Sequence, residues 1–145
     1  MEFLIAVSIV VLLSLFTLGS FYSGSKIKLL EKETEEVVSV LEKARAQAVS
    51  SKNSLSYGVW LESGRAVLFS GDVYNPADSK NEEKIISAPA AISAWTLNGG
   101  GNSILFKKLS GKTDNYGTIA IQVPGGNPLL KTIKIEATGL VESVN

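Results

Sequence analysis

The first hydrophobic pattern in the chain has no period. Residues 3–21, FLIAVSIVVLLSLFTLGSF, are nineteen positions without a charge. As a helix this run would be about 28 Å long at about 1.5 Å per residue, close to the hydrocarbon thickness of a bilayer. A helix apolar on every side belongs in a large core or a membrane, and 145 residues leave little room for the first. A cleaved signal peptide would show a basic n-region and a small-x-small cleavage site, and the sequence has neither. The run is expected to be a retained, single-pass membrane anchor. Its small residues let neighbouring helices approach closely, and Phe3, Ser8, Ser14 and Gly19 are the candidate packing positions in the span. Gly19 and Gly24 each cost about 1 kcal/mol relative to Ala inside a helix, which makes them the candidate points of flexibility.

Past Gly24 the pattern becomes helical and amphipathic. Ile27, Leu30, Thr34, Val37, Leu41, Ala44 and Ala48 alternate spacings of three and four, so they share one stripe. Glu31, Lys32, Glu35, Glu36, Glu42 and Lys43 occupy other faces. The spacing predicts one helix over 3–52, apolar all round in its first half and amphipathic in its second. The stripe ends in alanines, which suits packing on a sheet better than a long coiled coil.

From residue 55 the period is two. Strands are expected at 55–61, 65–70, 84–87, 91–97, 103–109, 118–123, 131–136 and 140–144. Glu62-Ser63-Gly64 closes the first pair as a hairpin. Residues 72–83 are polar with Pro76 and are expected to be a surface loop. Gly99-Gly100-Gly101-Asn102, PGGNP at 124–128 and Ala137-Thr138-Gly139 supply the later turns. The fold class is α+β: a long N-terminal helix packed on a small antiparallel sheet domain. Residues 1–25 form the membrane-spanning, filament-core half of the helix. Residues 26–145 form a globular head, with helix over 26–52 and the β-domain over 55–145.

Composition removes most enzyme chemistry. There is no cysteine and no histidine, so thiol nucleophiles, disulfides and the commonest general base and zinc ligand are excluded. Fourteen cations balance fourteen carboxylates, which argues against a chain that is basic overall and binds nucleic acid through its net charge. Ser110-Gly111-Lys112-Thr113 imitates the end of a phosphate-binding loop. Phe106 stands where that motif needs its first glycine, and no strand-to-helix context surrounds it. Asp72, Asp78 and Glu82 are weak metal candidates, because their loop is rich in hard oxygens without the spacing of a calcium loop. Lys107, Lys108, Lys112, Lys131 and Lys134 could gather into a basic patch, although alternation puts Lys131 and Lys134 on opposite strand faces. No catalytic residue and no cofactor are expected; the chain is not expected to be an enzyme, nor to take a small-molecule substrate.

A charge-free helix opened by a lone glutamate, an amphipathic continuation and then a small antiparallel sheet resemble a type IV pilin or pseudopilin. The start MEFLIAVSIVVLLSL looks like that family's mature N-terminus, where a Phe, a short stretch and a Glu precede the apolar run. Leu41, Ala44, Arg45 and Ala48, followed by Tyr57-Gly58-Val59, are similar to the minor pseudopilin H branch of type II secretion and related minor pilins. There an L-x-x-A-R-x-x-A helix end leads into a Tyr-Gly-Val strand. The ending TIAIQVPGGNPLLKTIKIEATGLVES is similar to that branch too. The family's precursors carry a basic leader that a prepilin peptidase removes before a Phe, whose amine is then methylated. This sequence begins without a leader, and its glutamate is second where the family has it fifth.

The resemblance implies a bacterial structural subunit that polymerises through its apolar helix. Its filament would serve adhesion, motility, DNA uptake or protein secretion. The partners implied are other copies or related pilins, an inner-membrane assembly platform, the peptidase, and membrane lipid before assembly. The localisation implied is the inner membrane with the head outside the cytoplasm, then an extracellular or periplasmic filament. Glu2 is the candidate assembly residue; it is either an interfacial flanking charge or the partner of a cation from another chain. The alternative is a monomeric binding protein tethered by a signal anchor.

Overall fold

The computed structural model describes residues 2–50 and 54–144; on the N-terminal helix, side chains are described at residues 7 and 8 and from 24 onward. The helix, α1, runs Glu2–Val49. Eight strands follow: β1 (Tyr57–Glu62), β2 (Arg65–Ser70), β3 (Glu82–Ile85), β4 (Ala91–Leu97), β5 (Ser103–Phe106), β6 (Gly117–Val123), β7 (Leu129–Ile135) and β8 (Val141–Val144). They form two four-stranded antiparallel sheets, ordered β3-β2-β1-β5 and β4-β6-β7-β8.

This corrects the fold expected from sequence. In place of one small sheet under a dominant helix, two full sheets make the described residues mostly β. Alternation reveals which face of a strand is buried but not which strand it pairs with. β4 leaves the first sheet to join the second, and β5 returns to pair with β1 through Tyr57–Phe106 and Val59–Ile104. The turn between them holds Gly99, Gly100 and Gly101 at φ of 80°, 72° and 81°. Three successive left-handed residues are accessible only to glycine at low cost, and they reverse the chain between the sheets.

The membrane anchor is also corrected. Among the described residues no helix is long and apolar enough to cross a membrane, so the single-pass localisation falls with it. Residues 24–49 of α1, where the side chains are described, carry ten ionisable side chains. Each costs about 2.5–3.5 kcal/mol at a bilayer centre.

A single core joins α1 to both sheets. The inward residues are Tyr57, Val59 and Leu61 of β1, Ala66 and Leu68 of β2, Ile119, Ile121 and Val123 of β6, and Ile133 and Ile135 of β7. Against them α1 buries Leu30, Thr34, Val37, Leu41, Ala44 and Ala48. The expected stripe is shifted at one end: Ile27 is 47% exposed, while Glu33 is wholly buried. Strand bounds moved by one to three residues. The loop expected over 72–83 ends at Asn81, because Glu82 and Glu83 already pair with Leu68 and Val67. The expected helix end at 52 lies outside the described residues.

Candidate assembly surfaces

Among the described residues, the head buries side chains of α1 only from Leu30 onward. No described helix side chain ahead of Leu30 is buried, and Val7 is 46% exposed. Where the helix enters the head, Lys26 Nζ donates to the carbonyl of Pro124 at 3.4 Å. A Cβ added at Gly24 would meet nothing within 4 Å. Ser8 is exposed. The side chains of Glu2, Phe3 and Ser14, and the surroundings of Gly19, lie outside the described residues. The helix is nevertheless assigned as one element through Gly19 and Gly24.

At its other end α1 is locked into the head. The Leu109 N–H donates to the carbonyl of Ala48 at 2.9 Å, satisfying one of the helix's last free acceptors. Arg45 lies where two glycine turns meet. A Cβ on Gly139 would stand 1.8 Å from the Gly111 carbonyl oxygen and 3.0 Å from Arg45 Nε; one on Gly111 would stand 2.6 Å from Val49 Cγ2. Arg45, Gly111 and Gly139 therefore pack as one junction, with Arg45 Nε buried and without a hydrogen-bond partner.

Two ion pairs tie the edge strand β3 to the helix: Lys84 to Glu36 at 3.2 Å, and Lys43 to Glu82. The outer face of the first sheet is covered by the loop after β2. Tyr74 stacks on Trp60 with ring centroids 4.8 Å apart and leans on Phe69 at 5.6 Å. Gly58 leaves room for the Phe69 ring, whose Cζ would be 2.6 Å from an added Cβ. Beside this cluster Arg65 donates through Nε to Glu62 at 2.7 Å and through Nη1 to Glu83 at 3.0 Å. The hydrogen bond from Arg65 holds the Glu62 carboxyl below the usual carboxylate range, with further help from the Trp60 N–H and the Arg65 charge. The same pairing raises Arg65.

The metal candidates do not converge. Glu82 is engaged by Lys43, Asp78 Oδ1 accepts the Lys80 N–H at 2.9 Å, and Asp72 is exposed in the loop. Among the described residues no group of three or more metal-ligating side chains forms. The lysines do not make one patch either. Lys107 is paired with Asp114 and Lys134 with Glu136, and Lys131 is on the face of β7 that carries Ile133 and Ile135.

Sequence reading missed Glu33. Its side chain is fully buried and neither carboxylate oxygen has a hydrogen-bond partner; its one ion pair is with exposed Lys32 at 3.8 Å. The signal was present, since residue 33 stands three after Leu30 and four before Val37 and so falls on the buried stripe.

Compared with protein-family models, with curated proteins and with solved structures, the chain finds no match in any of the three.

Proposed function

We propose that this chain is a structural subunit of a pilin-like filament and assembles through the first half of α1. One observation carries the reading. α1 continues to Glu2, yet no described helix side chain ahead of Leu30 is buried by the head. The sequence ahead of Leu30 includes nineteen successive residues without a charge. Removing such apolar surface from water is worth roughly 25 cal/mol per Å², and within a filament the same half of neighbouring copies supplies the cover. The contact joins different surfaces of successive copies; where such a contact does not close into a ring it produces a helix. The resemblance of the N-terminal pattern and of the Leu41-to-Val59 stretch to pilins supports the same role.

Glu2 is the residue assigned to assembly. It is the only side chain before Lys26 that is charged at neutral pH. In the filament its carboxylate meets the amine terminus of the next copy, so that two charges enter an apolar core as a pair. Leaving one partner buried alone costs about 3–5 kcal/mol. Glu2→Ala is expected to reduce the yield of sheared filaments strongly while the cellular level of the chain stays normal. Glu2→Gln should behave more like Ala than like wild type, because the amide keeps the shape and loses the charge. Wild-type filament yield from Glu2→Ala would remove the pairing role.

A further inference from the structure

We propose that opposite edges of the first sheet dock on each other in successive copies, head to tail, a proposal that rests on the filament reading above. The strand order puts β3 and β5 at the two edges, roughly 14 Å apart over three strand spacings. The two edges differ in charge. Residues 65–85, which build β2, β3 and the loop between them, hold four carboxylates and three cations, and Glu62 at the end of β1 adds a fifth carboxylate beside Arg65. Residues 103–116, which are β5 and the loop folded along it, hold three lysines and one aspartate. That loop is fixed to β5 by a bridge between Phe106 and Thr113 and by the Leu105 N–H donating to Asn115 Oδ1 at 3.3 Å.

Part of each charge is left over after pairing within the head. Glu62 and Glu83 share the one guanidinium of Arg65, and Asp72 is exposed. On the other side Lys107 is paired with Asp114, while Lys108 and Lys112 are exposed and form no ion pair among the described residues. An acidic edge and a basic edge on one rigid sheet cannot satisfy each other within a copy. They are complementary between copies, and the resulting contact is heterologous, as a filament requires.

Each edge also presents an apolar side chain. Ile85 on β3 is 69% exposed and Leu109 in the β5 loop is 71% exposed. Single exposed apolar residues are ordinary, but Leu109 is held there at φ 67° with its N–H fixed on the Ala48 carbonyl. A left-handed backbone is unfavourable for a residue with a Cβ. β3 is moreover an open edge. The Ile86 N–H bonds to the Gly64 carbonyl, so by alternation Lys84 and Glu82 direct their backbone groups at β2 while Glu83 and Ile85 direct theirs outward. An open edge is a ready template for another chain.

The chain has no cysteine, so introduced thiols stand alone. Filaments sheared from cells producing the full chain with both Ile85→Cys and Leu109→Cys are treated with a short bismaleimide. The expected result is a ladder of cross-linked multimers, with each single variant remaining monomeric on a denaturing gel. Intact filaments without a ladder, or dimers from a single variant, would overturn the edge-to-edge contact and leave the filament reading standing. Failure of the wild type to give filaments would sink both. A charge reversal supplies the second arm. Lys108→Glu with Lys112→Glu should lower filament yield several-fold; unchanged yield counts against the pairing.

Discussion

Glu33 is the side chain that the head accommodates least well. A carboxylate with no exposed surface and no hydrogen-bond donor sits on a helix stripe otherwise made of Leu30, Val37 and Leu41. Its one charged neighbour, Lys32, is mostly in solvent. Desolvating a charge without good compensation costs several kcal/mol, and replacing buried ionic groups by apolar ones of similar volume often stabilises by about 1–4 kcal/mol. Glu33→Met is therefore expected to raise the urea midpoint of unfolding, with an unchanged slope. A lower midpoint would show that the carboxylate contributes a favourable contact to the folded head. At this scale the sequence was partly readable. The spacing of Leu30, Val37, Leu41, Ala44 and Ala48 revealed the stripe, and the charge of Glu33 masked its membership. Ile27 belongs to the same spacing yet is exposed, on the turn where Lys26 reaches the Pro124 carbonyl at the border of the head.

Among the elements, α1 has two different surroundings. From Leu30 it is clamped by the core, by the ion pairs to β3 and by the Leu109 bond at its end. Ahead of that, Gly19 and Gly24 weaken it by about 1 kcal/mol each relative to Ala. We expect the helix to be continuous in the isolated subunit, as it is here, and to melt locally around these glycines when the first half packs in a filament. Gly24→Ala isolates this effect, because the added methyl would meet nothing within 4 Å. It should increase helix content by circular dichroism in the isolated chain and lower filament yield. Unchanged yield would contradict the melting. All eight strands were visible as period-two runs, with bounds off by a few residues. β3 was the least legible, since Glu82 and Glu83 read as loop. They are strand because the side chain of one reaches Lys43 on the helix and that of the other reaches Arg65 on β2.

For the whole molecule, the division into two sheets could not be read from alternation alone. It depends on the glycine turn at 99–101 and on β5 returning to β1, both of which are long-range choices. Among the described residues, the core of the resulting head begins at Leu29 and Leu30 on the helix. The filament proposed above assembles through the first half of α1. Electron microscopy of the purified full chain beside the chain lacking residues 1–25 tests it most directly. The full chain is expected to form filaments of uniform width, and the shortened chain to stay a folded monomer under the same conditions. A full chain that remains monomeric, or a shortened chain that forms the same filaments, would contradict assembly through that half of the helix.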